Sequence, residues 1–313
     1  MARSTIRVCS AARRSGVLFI LLAVVPALAA ADQVVRPRVN LTPMVNATTT
    51  IPAGLVTPAM AQNIGPGSHL IIDIPGEGTF GCTANFVWAS GNARYLGAAG
   101  HCFIPAPATA THGPGANYNA SGVIVRVCVS NCSFGGSTGF TLTGNLVQLG
   151  AVAYARQTAA GGDIGNDFGV VTIPSALAPL IRSSMPVFGG PTEIDTISQG
   201  ELVCHYGNGV IVGETFLTMA RVGMGGGSNA AMWMGDLAAA PGDSGSAVET
   251  CDANAGGFSG RGAAGILTHL SVQVCPCDVG SLTFQQGVVF GTTVARAIDM
   301  AREAGLALFV VLP

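Results

Sequence analysis

The stretch Ala240-Pro241-Gly242-Asp243-Ser244-Gly245-Ser246-Ala247 places one serine directly after an acid and between glycines. A serine hydroxyl is a weak nucleophile alone, and it needs a base, an orienting acid and donors for a developing oxyanion. The neighbouring glycines let the backbone bend so that amide N–H groups can point at one spot. Most such stretches are ordinary polar turns between strands. A catalytic interpretation of Ser244 therefore depends on partners elsewhere in the chain.

The composition bounds the fold and excludes some partners. The chain has 313 residues, of which 49% are hydrophobic and 10% are charged, which is enough for one large domain or two medium ones. Its 44 glycines and 17 prolines favour many short strands over long amphipathic helices. The formal charge of −2 gives no indication of a nucleic-acid or anionic-membrane partner.

Residues 1–31 have the pattern of a secretory signal. Four arginines come first, Val17 to Val25 is apolar, and small residues follow as far as Ala31. A membrane anchor is the alternative, but a spanning helix needs about 20 apolar residues. We expect cleavage near Ala29 or Ala31 and a secreted protein with no membrane association. Because this removes four arginines and no acid, ten arginines then face 16 acids, and the formal charge is −6.

The cysteine count predicts disulfides. Cys9 lies in the signal, and the remaining eight cysteines are an even number in an oxidising compartment, which allows up to four disulfides. A zinc site is the alternative, but the short cysteine spacings do not match one, and no histidine stands at ligand spacing beside them. The sequence predicts no metal and no cofactor.

The body of the chain is predicted to be all-β with one terminal helix. Residues 32–63 have little periodicity and are interpreted as a propeptide or an extended N-terminal arm. Strands are predicted at 69–74, 82–88, 94–99, 122–129, 146–154, 168–173, 201–205, 210–219, 246–249, 263–270 and 287–290. A hairpin is predicted about residues 90–92, a helix over 292–304, and a boundary between two halves near 186–200. Such a pattern indicates sandwiches or barrels.

A histidine and an aspartate are the candidate partners of Ser244. His101 ends an apolar strand and is followed by Cys102, so a strand and a disulfide could fix its ring as a general base, although a lone histidine is more often structural. Asp167 stands at the entrance of an apolar strand, where burial is costly unless a group such as a histidine N–H pairs with it. Asp163 is the nearby competitor, but its Gly-Gly-Asp context is typical of a solvated turn.

These residues resemble a known family. His101 in Ala-Ala-Gly-His-Cys, Asp167 in Asn-Asp-Phe-Gly-Val-Val and Ser244 in Gly-Asp-Ser-Gly-Ser resemble the chymotrypsin-like serine proteases, and they occur in that family's order. The composition of the strands is similar to the bacterial secreted branch. The resemblance implies two six-stranded antiparallel Greek-key β-barrels with a C-terminal α-helix. The first barrel would span 64–185 and the second 186–313, with the catalytic residues in the cleft between them.

The resemblance also implies a role for each site residue. Ser244 would attack the scissile carbonyl of a protein or peptide substrate, His101 would take and return the proton, and Asp167 would hold the imidazole. The backbone N–H groups of Gly242 and Ser244 would form the oxyanion hole. The protein would act as a monomeric, secreted endopeptidase.

Asp243 would be a structural acid whose carboxylate pairs with a buried cation. That cation could be a new N-terminal amine after propeptide removal, for which Ile64-Gly65-Pro66-Gly67 is the candidate. It could equally be an arginine, and the sequence leaves both alternatives open. The resemblance further implies four disulfides, which are Cys82–Cys102, Cys204–Cys251, Cys128–Cys132 and Cys275–Cys277.

The pocket positions predict the specificity. Ala238 and Ala239 stand six and five residues before Ser244, where no acid is present to bind arginine or lysine. A small or apolar P1 residue is therefore predicted.

The strand that would line the primary pocket contains Thr268, His269 and Leu270. Thr268 replaces a usual serine and has a hydroxyl that could reach Asp167. The larger His269 and Leu270 side chains are expected to narrow the pocket entrance or to alter how an extended substrate pairs with this strand. His269 also raises a second option, a preference for glutamate.

Two other classes of protein are the alternatives to a chymotrypsin-like protease. An α/β-hydrolase would need a G-x-S-x-G elbow and alternating strands and helices, and the chain has neither pattern. A protease-fold binding or surface protein that no longer cleaves is the non-enzyme alternative. All three triad residue types are present, so the sequence gives no reason to prefer it.

Overall fold

A computed structural model describes residues 33–34, 61–105, 110–113, 118–135, 141–158, 164–209, 219–239, 242–270 and 288–313. The predicted signal, most of the predicted arm, Asp163, Ala240, Pro241, Cys275 and Cys277 lie outside these residues, as does nearly all of the predicted strand 210–219. No described helix is long and apolar enough to cross a membrane.

The described residues are strands and turns, with two short 3-10 turns and one α-helix. The first strands in chain order are β1 (Gln33–Val34), β2 (His69–Ile74), β3 (Gly78–Thr83), β4 (Val87–Ser90), β5 (Ala93–Ala98), β6 (Ala110–His112), β7 (Ile124–Gly135), β8 (Thr141–Gln148), β9 (Val152–Gln157) and β10 (Asp167–Ile173). The later elements are β11 (Glu193–Ile194), β12 (Gln199–Tyr206), β13 (Ala220–Ser228), β14 (Met232–Asp236), β15 (Ala247–Asn254), β16 (Gly257–Leu270), β17 (Val288–Thr293), α1 (Val294–Glu303) and β18 (Phe309–Val310).

The first barrel is made from two sheets that share bent strands. One sheet has the order β3-β2-β7-β8, and the other has the order β18-β4-β5-β10-β9-β6. The amides of Ala84 and Asn85 continue the ladder from β2 to β5, and those of Leu149 and Gly150 continue it from β7 to β10. Strands β3 and β4 thus act as one bent strand, and β8 and β9 act as another. Together with β2, β5, β7 and β10 they make six strands that close around the apolar core.

The second barrel is a closed ring. Its strands follow the order β16-β15-β12-β13-β14-β17, and β17 pairs again with β16. Neighbouring strands in this ring are antiparallel, while β1 and β11 attach to β16 outside it. Trp233 is fully buried in the core of this ring, and its indole N–H donates to the Ile266 carbonyl at 3.1 Å.

Helix α1 packs on a third apolar cluster that draws on strands of both barrels. Its buried face is formed by Val294, Ala297, Met300 and Ala301, which follow the helical period. Thr293 caps the first turn, since its hydroxyl oxygen accepts the Arg296 amide at 3.1 Å. The expected all-β, chymotrypsin-like fold with a C-terminal helix is confirmed, while the domain boundary near residue 186 stays a prediction.

The strand predictions differ from the structure where the chain bends or is rich in glycine. The predicted strand 146–154 is interrupted, because β8 ends at Gln148 and the chain crosses there to the other sheet. The strands β13 and β14 were missed, since Gly-Met-Gly-Gly-Gly in β13 has the composition of a turn. The strand β2 and the hairpin between β4 and β5 occur as predicted.

Candidate active site

His101 is held by a short turn that follows a buried strand. Strand β5 ends at Ala98, and the 3-10 turn Gly100–Cys102 then carries the histidine. A disulfide joins Cys102 to Cys82 at the end of β3, so the turn is fixed to two neighbouring strands. His101 is only 2% exposed. A ring held in this way loses little freedom when it acts as a base.

Asp167 reaches His101 because strands β10 and β5 are neighbours. Asp167 is the first residue of β10, and the ladder pairs Gly169 with Ala98 just before the histidine turn. The Nδ1 atom of His101 lies 2.7 Å from Oδ2 of Asp167, and the His101 backbone N–H donates to Oδ1 at 2.9 Å. The fully buried carboxylate is thus held at both oxygens by one residue.

This contact fixes the tautomer of His101. A carboxylate can only accept, so Nδ1 carries the hydrogen. The Nε2 atom is buried and has no hydrogen-bond partner among the described residues. It is therefore available to take a proton from a nucleophile.

The charge state of Asp167 suits this role. Burial alone would raise the pKa of its carboxyl, but the charge and hydrogen bonds of His101 and the charge of His269 hold that pKa below its ordinary value. The carboxyl stays ionised at neutral pH, so it can stabilise an imidazolium on His101.

Backbone contacts hold the serine loop beside the histidine turn. The Ser244 carbonyl accepts the Thr83 amide at 2.9 Å and lies 3.7 Å from Sγ of Cys102. The Thr83 hydroxyl donates to the Gly242 carbonyl at 2.8 Å. Thr83 was missed by sequence reasoning, although it directly follows Cys82. It joins the first barrel to the serine loop on both sides of Asp243.

Two glycines of this loop occupy the left-handed region. Gly242 has φ +102° and Gly245 has φ +92°. A side chain on Gly245 would place its Cβ 2.5 Å from the Thr83 carbonyl oxygen, closer than atoms can approach. Glycine is therefore required on each side of the acid and the serine.

Asp243 pairs with an arginine inside the protein. Its Oδ2 lies 2.5 Å from the Arg221 guanidinium, and its Oδ1 accepts the Gly209 amide at 2.6 Å. Both side chains are almost fully buried. Of the two cations considered, this structure contains the arginine, while the Ile64 amide donates within the chain to the Leu180 carbonyl at 2.8 Å.

Arg221 and His205 were not among the predicted site residues. They are directly opposite each other on β13 and β12. A lone arginine in the apolar strand Ala220-Arg221-Val222 was the available signal, because an unpaired charge is not tolerated there.

His205 joins the proposed pocket floor to the serine loop. Its Nε2 lies 2.9 Å from the Ala238 carbonyl, and its Nδ1 lies 3.2 Å from the Ser246 hydroxyl. Burial, followed by the charge of Arg221, lowers the pKa of His205 to about 4. The ring is thus neutral at pH 7, so Nε2 donates and Nδ1 accepts. Ala238 and Ala239 are themselves buried.

One expectation about the substrate strand is wrong. The Thr268 hydroxyl lies 2.6 Å from Nδ1 of His269, and no hydrogen bond among the described residues joins it to Asp167. Asp167 is already held at both oxygens by His101. His269 and Leu270 are buried, and Leu270 packs in the core of the second barrel. Their backbone, rather than their side chains, is the part that a substrate could meet.

The structure contains three of the four expected disulfides, which are Cys82–Cys102, Cys128–Cys132 and Cys204–Cys251. Cys275 and Cys277 lie outside the described residues. Among the described side chains, one group of three has metal-ligating atoms close together, namely Cys82, His101 and Cys102. The two sulfurs are joined in a disulfide, so they are not thiolate ligands.

The chain is similar to solved bacterial proteases. Thermobifida fusca protease A is 18% identical with a TM-score of 0.41, and the match covers 80% of this chain and 100% of that one. Protease Anisep from Arthrobacter nicotinovorans is 15% identical with a TM-score of 0.46, covering 78% and 97%. A glutamic acid-specific serine protease that uses a histidine triad in substrate binding is 17% identical with a TM-score of 0.42, covering 80% and 100%.

No family model and no curated protein sequence matches the chain. At these identities and TM-scores, the solved structures do not assign an activity to it. The function has to be argued from the side chains themselves.

Proposed function

We propose that this chain is a secreted serine endopeptidase that hydrolyses peptide bonds through Ser244, His101 and Asp167. The observation that carries the proposal is the buried pair in which His101 contacts both oxygens of Asp167, at 2.7 Å and 2.9 Å. A buried carboxylate that orients a histidine with a vacant Nε2 is the arrangement that activates a serine. The serine loop is held beside it by the Thr83 amide and hydroxyl, and the Ser244 carbonyl lies 3.7 Å from the Cys102 sulfur.

The proposed reaction uses these residues in the following way. The Ser244 hydroxyl attacks the scissile carbonyl while its proton passes to Nε2 of His101, and Asp167 stabilises the imidazolium. The amides of Gly242 and Ser244 donate to the oxyanion, an interaction worth about 100-fold or more in turnover for one donor. His101 then returns the proton to the leaving amine as the peptide bond breaks, which leaves an acyl group on Ser244. Water, deprotonated by His101, releases the acid and restores the serine.

We further propose a small or apolar P1 residue. Ala238 and Ala239 bring no charge to the pocket floor, and the Ala238 carbonyl is held by a neutral His205. The glutamate option is less well supported, since the His269 ring is fully buried against Thr268. A protein or peptide substrate, a monomeric state and secretion complete the proposal.

Covalent labelling tests the nucleophile directly. A phosphonate that reacts with activated serines should modify the protein once, at Ser244, as located by peptide mass mapping. Ser244→Ala and His101→Ala should both abolish the labelling. Ser121→Ala is the matched control, because Ser121 is exposed and lies in a turn. It should label like the parent.

Two results would contradict the proposal. An absence of labelling in folded protein would favour the non-enzymatic binding protein instead. Cleavage of a peptide library chiefly after arginine or lysine would leave the nucleophile in place but refute the uncharged pocket.

A further inference from the structure

Thr83 is a fully buried residue that contacts the serine loop with two different groups. It is the last residue of β3, in the first barrel. Its backbone amide donates to the Ser244 carbonyl at 2.9 Å, and its hydroxyl donates to the Gly242 carbonyl at 2.8 Å. The reaction proposed above uses neither group, so this double contact needs another explanation.

Asn208 fixes the direction of the Thr83 hydroxyl. Its backbone N–H and the Nδ2 atom of its side chain lie 2.9 Å and 3.2 Å from Oγ1 of Thr83. These two donors use the lone pairs of the oxygen, so its hydrogen is directed at the Gly242 carbonyl, which can only accept. The same Nδ2 atom donates to the Gly67 carbonyl at 2.8 Å, and Asn208 itself is buried. The hydroxyl is thus held in one orientation from the segment that follows β12.

The two carbonyls that Thr83 holds belong to the peptide planes on each side of the plane that contains the Ser244 amide. In that middle plane, the Asp243 carbonyl accepts the Ser246 amide at 2.9 Å. The C=O and N–H groups of a planar trans peptide point in opposite directions, so this bond sets the direction of the Ser244 N–H. Gly242 needs an external hold, because glycine at φ +102° has other backbone conformations open to it. The contacts of Thr83 therefore limit how these planes can rotate.

We propose that Thr83 is a positioning residue for the oxyanion hole, which keeps the amides of Gly242 and Ser244 aimed at the oxyanion by holding the carbonyls of the same two residues. The proposal rests on the protease function proposed above. A misplacement of about 1 Å can cost about 100-fold in rate, and loss of one oxyanion donor costs about 100-fold or more. Without the hydroxyl the donors are displaced rather than removed, so we expect kcat to fall by about 10- to 100-fold.

The test removes the hydroxyl and keeps the shape of the side chain. Thr83→Val has the same branching at Cβ, but it can neither donate to the Gly242 carbonyl nor accept from Asn208. Thr83→Ser keeps the hydroxyl and loses only a methyl group, so it should behave like the parent. Asn208→Ala approaches the same contact from its other end. It removes Nδ2 but keeps the backbone amide on the hydroxyl, so it should give a smaller loss of kcat.

Thr250→Val is the matched control for losing a buried hydroxyl. Thr250 is also fully buried, and its hydroxyl donates to Asp195 at 2.8 Å and accepts the Gly262 amide at 3.1 Å. Both valine variants should lower the midpoint of urea unfolding, because each leaves buried polar groups without their hydroxyl partner. Only Thr83→Val should lower kcat.

Four measurements separate positioning from general damage. The first is the split between kcat and KM for a short peptide whose P1 residue is the one the parent prefers. The second and third are the Ki values of the matching peptide aldehyde and peptide alcohol. The Ser244 hydroxyl adds across the aldehyde carbonyl, which gives a hemiacetal whose oxygen meets the proposed donors, whereas the alcohol has no such oxygen. The fourth is the pH profile of kcat/KM, which reports the pair formed by His101 and Asp167.

The inference is supported if Thr83→Val lowers kcat by about 10- to 100-fold with little change in KM and raises the aldehyde Ki by a similar factor. The alcohol Ki and the pH profile should stay as in the parent, and Thr83→Ser should restore activity. If Thr83→Val does not fold, Asn208→Ala decides by the same pattern of kcat, KM and the two Ki values.

Three results overturn the inference while the protease function stands. An unchanged kcat in Thr83→Val would show that the hydroxyl does not position the donors. Equal losses in Thr83→Ser and Thr83→Val would assign the effect to the methyl group. A shifted pH profile, or an alcohol Ki that rises as much as the aldehyde Ki, would show general damage to the site. If the parent neither cleaves peptides nor binds the aldehyde, the protease function itself fails and the role of Thr83 fails with it.

Discussion

Replacing Arg221 with methionine should destabilise the protein and disturb the serine loop. Arg221 and Asp243 are nearly fully buried, and the guanidinium lies 2.5 Å from Oδ2 of the carboxylate. Methionine fills much of the same volume but has no charge. The substitution therefore removes the cation that faces a buried carboxylate directly before the nucleophile.

The size of the effect follows from what remains around the carboxylate. Breaking a buried ion pair by removing one partner costs about 3–5 kcal/mol. The Gly209 amide still donates to Oδ1 at 2.6 Å, and such a bond to a charged group retains part of the stabilisation. We therefore expect the lower end, about 3 kcal/mol in the free energy of unfolding. With a urea m-value of about 3 kcal/mol/M, the midpoint should fall by about 1 M.

The assay is urea unfolding with the disulfides intact, followed by fluorescence. Arg302→Met is the matched control, because Arg302 is exposed and forms a surface pair with Asp299 at 2.7 Å. Surface pairs of this kind contribute about 0–1 kcal/mol. The double variant Arg221→Met/Asp243→Asn removes both charges and should recover a large part of the loss. Phosphonate labelling of Ser244 should be slower in Arg221→Met than in the parent.

The reasoning fails if Arg221→Met costs no more than Arg302→Met. It also fails if the double variant is as unstable as the sum of the single variants, since the two groups would then not be coupled. A secreted form that starts at Ile64 and tolerates the loss of Arg221 would show instead that a new amine can pair with Asp243.

Three further predictions concern buried titratable groups. Asp167→Asn should lower kcat/KM by about 10⁴-fold with little change in KM, because the amide cannot hold the catalytic tautomer of the histidine; a loss below about tenfold would contradict its role. Glu249 is buried with no hydrogen-bond partner among the described residues, and burial raises the pKa of its carboxyl well above the ordinary value. The free energy of unfolding should then fall as the pH rises above 4.5, by about 1.4 kcal/mol per pH unit, because the native state keeps a proton on Glu249 that the unfolded state has lost. Calorimetry at pH 5 and pH 8 should show that this fall is absent in Glu249→Gln. An unchanged pH dependence in the variant would refute the prediction. Burial lowers the pKa of His205 to about 4, so the native state holds the ring neutral where the unfolded state would protonate it. The free energy of unfolding should therefore fall by about 3 kcal/mol as the pH drops from 6.5 to 4. His205→Gln should remove that loss in urea titrations at pH 7 and pH 4.5, and an acid sensitivity identical to that of the parent would count against the prediction.

The sequence predicted those strands, helices and site residues that depend on residues close together in the chain. The strand β2 shows in the apolar run His69-Leu70-Ile71-Ile72, and α1 shows in its helical period. His101 and Asp167 could be singled out because each stands at the end of an apolar strand, where a polar group needs a partner. The family resemblance then supplied their pairing, which the 2.7 Å contact agrees with.

Long-range partners could not be predicted in the same way. Nothing beside Arg221 in the sequence indicates that its guanidinium reaches Asp243, because the two residues are 22 positions apart and only the fold brings them together. Thr83 contacts Gly242 although 159 positions separate them. The failed expectation for Thr268 has the same origin, since its hydroxyl contacts the ring of the adjacent His269 rather than the carboxylate of Asp167.

The buried arginine bears on how the proposed enzyme would be controlled. If Asp243 depended on a new amine at Ile64, the oxyanion hole would form only after cleavage of the chain. Here Arg221 supplies the cation from within the second barrel, so the loop before Ser244 is already braced while the arm is attached. Control by cleavage-driven refolding of the hole is then unnecessary.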